Sequence, residues 1–265
     1  MIRTLFLRGA RQHAGLLGAL TLGLFLFQWA IVWVASRIEM GPGLRQFLGS
    51  LLPPGLVDTI FVQFGLASFG GAVAFGYQHP LALIAGIAMV AVMATLPAQE
   101  RETGFLDLVL SRPLTRTRYL IGICLLVLLG ALLPALALLA GGTVGLVVIQ
   151  AGETVPWNRF LPSALMVALL LLAVGAYTLL FATSAHRRGT AVTQAVGITL
   201  LFFWLDFMGD HWDLLETARL LSPFHYFDPA LAARSGVPAR DAMVLGGITA
   251  VCTVSAFLNF RRQDL

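Results

Sequence analysis

The densest group of charged side chains in the sequence lies between residues 100 and 116. These 17 residues contain three acids and three arginines, in a chain of which only 11% is charged. The apolar residues of the same stretch recur at spacings of three and four, as on one face of a helix. They are Phe105, Leu106, Leu108, Val109, Leu110 and Pro113. This pattern predicts an amphipathic helix at a membrane interface, either purely interfacial or held by another protein.

Histidines beside acids raise a second kind of chemistry, metal binding, towards the C-terminal end of the chain. His211 lies between Asp210 and Asp213, and His225 lies three residues before Asp228. A zinc site needs three or four converging ligands, and here a single loop would have to supply them. Solvated loop residues are therefore the better interpretation of this group.

The sequence lacks the common motifs of catalysis. It has no His-Glu-x-x-His and no Gly-x-Ser-x-Gly. All 17 basic residues are arginine, which excludes from this chain both a Gly-x-x-x-x-Gly-Lys phosphate loop and a Schiff-base lysine. We therefore expect no enzyme activity, no cofactor and no metal in this chain.

The elements that must position the charged stretch are membrane helices. The chain is 58% hydrophobic with a mean hydropathy of +0.86, and it contains several apolar runs of bilayer-spanning length. The net charge of +4 comes from arginines that flank these runs, so we expect no nucleic-acid partner. Cys124 and Cys252 both fall inside the runs, which argues against a disulfide framework.

The apolar runs predict an all-α integral membrane protein with six transmembrane helices in one domain, residues 1–265. The predicted spans are 16–35, 80–98, 119–149, 160–184, 190–208 and 241–260. The charged stretch, taken as 99–116, connects the second and third spans, and residues 36–79 and 209–240 form two outer segments. Within the first outer segment, residues 57–76 read as re-entrant, interfacial or an added span.

The distribution of arginines predicts the orientation. Eleven lie on the side of the two termini and residues 99–116, and six lie on the other side. The positive-inside rule then places both termini and this stretch in the cytoplasm. We expect a multi-pass protein of the inner membrane, with the first apolar run retained as a span.

Two polar residues inside predicted spans are candidates for a transport pathway or gate. Gln28 interrupts the first span, and an unpaired amide in lipid is costly. Asp206 lies at the outer end of the fifth span, where an acid is a functional candidate by default. For each residue an alternative stays open, which is helix packing for Gln28 and a solvated helix end for Asp206.

The order of residues in the charged stretch resembles the cytoplasmic signature of ABC-2-type exporter permeases. The matching positions are Glu100, Gly104, Leu106, Leu108, Val109, Leu110, Pro113 and Arg116, whereas Phe105 stands where that family usually has a small hydroxylated residue. The terminal residues 260–265 also resemble the family's ending, with Gln263 inserted between the arginines and the final Asp.

The resemblance implies a permease subunit that forms a dimer with itself or with a related permease. The stretch 99–116 would be a coupling helix that docks on a separate ABC ATPase, which binds ATP and magnesium. The residues implied in that contact are Glu100, Glu102, Gly104, Phe105, Leu106, Leu108, Val109 and Leu110, with Pro113 and Arg116 leading to the third span. The alternative is a non-transporting scaffold or signal-transmitting subunit driven by an ATPase.

Overall fold

A computed structural model of the chain describes residues 2–37, 68–106, 115–150, 155–210 and 212–262, together with positions 46, 49, 50 and 53. These residues are almost entirely helical, and no strand occurs among them. The helices are α1 (Ile2–Gln12), α2 (Ala14–Arg37), α3 (Phe69–Gln78), α4 (Pro80–Ala94), α5 (Leu96–Glu102), α6 (Arg116–Val148), α7 (Leu161–Ser184), α8 (Arg188–Gly209), α9 (Glu216–Arg219), α10 (Pro229–Ser235) and α11 (Ala239–Arg262).

Six helical units in the described part of the chain are long and apolar enough to cross a membrane. They are Ala14–Arg37, Phe69–Ala94, Arg116–Val148, Trp157–Ser184, Arg188–Gly209 and Ala239–Arg262. Each exceeds the roughly 20 residues that a bilayer crossing requires. The predicted all-α architecture with six apolar spans is confirmed.

Helix α7 forms the centre of the bundle and packs against α4, α6, α8 and α11. In the most apolar 18-residue stretch of its span, 72% is buried inside the protein. The same share is 11% for α8 and 17% for α11. The outer helices therefore expose most of their apolar surface, as helices that face lipid or a partner do.

Helices α2 and α6 approach each other closely at two glycines of α6. A Cβ at Gly141 would collide with the backbone carbonyl of Phe25, and one at Gly145 would lie 2.8 Å from the Cβ of Val32. Since only glycine leaves enough room there, the backbones pack at short range, as small residues allow in membrane helices.

The second membrane helix begins earlier than predicted, at Phe69 instead of residue 80. Ser68 caps α3 by accepting a hydrogen bond from the Gly71 amide at 3.1 Å. The helix breaks at His79, whose backbone is extended because it precedes Pro80. The sequence predicts residues 36–79 as an outer segment, in which residues 57–76 are re-entrant, interfacial or an added span. Within α3, however, small residues are buried against α2 and α10.

The N-terminal residues, which precede the first predicted span, also form a helix. Helix α1 is almost continuous with α2, because the Leu17 amide bonds the His13 carbonyl across the junction at 2.9 Å. Its Leu5 and Gly9 lie against Gly122 and Leu126 of α6. This packing brings Arg8 of α1 beside Tyr119, near the start of α6.

Candidate functional site

Helix α5 carries three consecutive charged residues, Glu100, Arg101 and Glu102, which we name the charged turn. The helix follows α4 after Thr95 and ends before Gly104, which adopts a left-handed conformation with φ of 69°. Successive residues of a helix point about 100° apart. The charged turn therefore reaches three different neighbours.

Glu100 joins α5 to α1 and α6. Its carboxylate lies 3.0 Å from the Arg8 guanidinium and accepts a hydrogen bond of 2.7 Å from the Tyr119 hydroxyl. The Glu100 side chain is only 12% exposed, so these charge-assisted contacts are partly shielded from water. Arg8 also lies 3.9 Å from the centre of the Phe105 ring, a cation–π distance.

The other two residues of the charged turn hold both sides of the connection between α7 and α8. The Arg101 guanidinium donates to the carbonyls of Thr183 and Ala185 at 3.3 and 2.9 Å. The Glu102 carboxylate accepts from the Arg188 amide at 2.9 Å. A cation thus lies at the end of α7 and an anion at the start of α8, as the helix dipoles favour.

The stretch 99–116, which the resemblance implies is a coupling segment, is described through Leu106, whose side chain is fully buried in the core. The remaining candidate contacts Leu108, Val109, Leu110 and Pro113 lie outside the described residues, so the amphipathic helix stays a prediction. On the far side of the gap, the Arg116 guanidinium reaches the carbonyls of Phe260 and Arg261 at 3.4 and 3.5 Å. Both ends of the segment are therefore anchored in the bundle.

The charges that we predicted to face an ATPase are thus bonded within this chain. Glu100 and Glu102 contact other helices, and a direct contact of Leu106 with a partner would require a rearrangement of the segment. The sequence pattern does not indicate Arg8 and Tyr119 as partners of Glu100. The helical spacing of Leu5 and Gly9 among the N-terminal arginines is the signal that could have revealed α1.

Gln28 is fully buried between α2, α3 and α6. Its amide nitrogen donates to the Val73 carbonyl at 2.9 Å, and its side chain occupies the space left by Gly76 and Gly142. In this position Gln28 connects helices within one chain.

Asp206 lies near the end of α8 and faces the segment that follows. One carboxylate oxygen is 3.7 Å from the Arg219 guanidinium and 3.6 Å from Nδ1 of His225. Arg219 also pairs with Asp210 at 3.0 Å. These contacts hold the end of α8 against residues 219–225. No cluster of three or more metal-binding side chains occurs within the described ranges.

Comparison with known families decides the class of protein. Residues 55–265 match the family described as ABC-2 family transporter protein. The chain belongs to the ABC-2 transporter permeases. No curated protein and no solved structure matches it. Permeases of this family are membrane transport domains that are not themselves catalytic and normally work with an ABC ATPase subunit.

Proposed function

We propose that this permease is the membrane subunit of an ATP-driven exporter in the inner membrane, with an unidentified substrate. It pairs with a second permease, identical or related, and with two copies of an ABC ATPase that bind ATP and magnesium. The observation that supports coupling is the charged turn, whose three residues contact α1, α6 and the α7–α8 connection.

In this proposal the ATPase docks on residues 105–113 and moves them when ATP binds. Helix α5 transmits the movement, because Arg101 and Glu102 contact the end of α7 and the start of α8. Since α8 is the least buried of the membrane helices, it can tilt with the smallest loss of packing within the chain.

The transport pathway lies between two permeases and is lined by α2, α4 and α8. Helix α4 carries exposed apolar side chains, with Ile84 68% and Leu81 51% exposed. Leu200 and Trp204 of α8 are more than half exposed. Such apolar surface fits contact with a second subunit, lipid or an apolar part of the cargo.

Docking can be tested by placing a charge on the apolar face of the coupling segment. We expect Leu108→Asp to abolish co-purification of the ATPase, because an unpaired carboxylate in a dry groove costs several kcal/mol. The matched control is Leu214→Asp, since Leu214 is 91% exposed in the segment after α8. The measurement is the ATPase-to-permease ratio after affinity purification. Retention of the ATPase by both variants would show that the segment is only interfacial.

The proposed orientation has both termini and residues 99–116 in the cytoplasm. It predicts that an impermeant maleimide added to intact cells labels Ser235→Cys and does not label Ser111→Cys. Ser235 is exposed at the end of α10. The background has Cys124 and Cys252 replaced, and permeabilised cells serve as the control for reactivity. Labelling of Ser111→Cys in intact cells would invert the orientation.

A further inference from the structure

A groove of about 450 Å³ runs between α4, α7 and α8. Aliphatic side chains form most of its walls. They are Ile84, Ile87 and Val92 of α4, Val174 of α7, and Val192, Val196 and Leu200 of α8. Several of these side chains are exposed in the single chain, so the groove is open to an occupant from the membrane.

The hydroxyl groups in the groove are already satisfied. Thr95, Thr178 and Thr199 each donate to the carbonyl four residues earlier in the same helix, at 2.8, 2.7 and 2.6 Å. Their methyl groups add to the apolar wall, and an occupant gains little from hydrogen bonds there. Along most of its length the groove therefore suits a hydrocarbon chain.

The length of the groove corresponds to one leaflet of a bilayer. Ile84 and Thr95 line its two ends on α4, and 11 residues at 1.5 Å each span ~17 Å. Half of a hydrocarbon core of ~30 Å is ~15 Å. One acyl chain of a single leaflet therefore fits along the groove, with its headgroup at one end.

Arg188 lies at the end of the groove where Thr95 is also found. It is half-buried, and among the described residues no carboxylate lies within ion-pair distance of its guanidinium. Glu102 instead bonds the Arg188 backbone amide. Burial and the charge of Arg188 lower the pKa of the nearby His13, which favours the neutral imidazole, and Arg188 supplies the positive charge.

We propose that this groove binds an anionic phospholipid of the surrounding bilayer, with one acyl chain along α4 and α8 and the phosphate on Arg188. An arginine at the membrane surface attracts anionic lipid, and the apolar walls favour the chain. The proposal rests on the membrane placement of the permease and does not require ATPase coupling. A helix of a second copy is the competing occupant.

Photo-crosslinking in vesicles tests the proposal without any measurement of transport. The purified permease is reconstituted in phosphatidylcholine vesicles that contain a tracer lipid with a photoreactive acyl chain. The tracer is phosphatidylglycerol in one sample and phosphatidylcholine in the other. We expect groove peptides of α4 and α8 to be labelled about fivefold more by phosphatidylglycerol, which corresponds to ~1 kcal/mol for one arginine.

Matched variants locate the two parts of the site. Arg188→Gln should remove the preference for phosphatidylglycerol, whereas Arg187→Gln at the neighbouring position outside the groove should keep it. Ala88→Trp should reduce groove labelling by both lipids, whereas Ala140→Trp, at an exposed alanine of α6, should not. Labelling of α6 serves as the reference for folding and insertion.

Equal labelling of the groove by the two lipids would overturn the proposal, as would an unchanged preference in Arg188→Gln. If neither lipid labels the groove and a disulfide joins two chains at Val196→Cys, the groove is occupied by a second copy and the proposal is overturned. Because no ATPase is present in this experiment, its outcome does not depend on ATPase coupling, whereas the Val196→Cys disulfide tests the proposed pathway between two permeases.

Discussion

We expect Glu100→Ala to destabilise the permease by about 2 kcal/mol and to uncouple it from ATP hydrolysis. The substitution leaves the Arg8 guanidinium and the buried Tyr119 hydroxyl without their shared acceptor. Loss of a partner for a buried donor costs about 1–3 kcal/mol, and more when a charge is involved. The measurements are the apparent unfolding temperature in detergent and substrate-stimulated ATP hydrolysis by the reconstituted complex.

Two further variants separate stability from coupling. Tyr119→Phe removes one hydrogen bond of the same carboxylate and should have a smaller effect on both measurements. Glu216→Ala removes an exposed acid from α9 and should change neither. If Glu100→Ala unfolds at the parent's temperature and retains coupled hydrolysis, the Arg8–Glu100–Tyr119 network has no structural or transmitting role.

A second large effect is expected where the backbones of α2 and α6 meet. In Gly141→Ala the new Cβ would lie 3.0 Å from the carbonyl carbon and 3.1 Å from the Cα of Phe25. Because these are backbone atoms, no rotamer change can relieve the contact, and α2 must move away from α6. Overpacking of this kind costs about 1–3 kcal/mol, and we expect a lower unfolding temperature in detergent.

Gly23→Ala provides the matched control in α2. No heavy atom lies within 4 Å of a Cβ built at Gly23, so the added methyl group meets no neighbour. Alanine is a better helix former than glycine by about 1 kcal/mol, and Gly23→Ala should unfold at or above the parent's temperature. Equal unfolding temperatures for the two variants would mean that the α2–α6 contact at Gly141 is not tightly packed.

The amino-acid order was sufficient to predict the architecture of this permease. The sequence alone indicates six apolar stretches, a charged stretch after the second of them, and a resemblance to ABC-2 permeases. They are local properties, since a bilayer sets the length of an apolar helix and a charge in lipid is costly wherever it occurs. The helical unit of the second candidate span begins at Phe69, before the predicted residue 80, because the glycines of α3 pack against other helices and their order along the chain does not indicate this packing.

The contacts of the charged turn depend on the packing of the whole bundle. Arg8 and Glu100 are separated by 92 positions, and they meet because α1 packs along α6 at Gly122 while α5 turns back beside Tyr119. Spacing along the chain cannot indicate such a contact, since it arises from the fit of helix surfaces. For the same reason, the sequence predicts that Glu100 and Glu102 are functional residues but does not indicate their partners. Only the packed bundle shows that they bond helices of the permease itself.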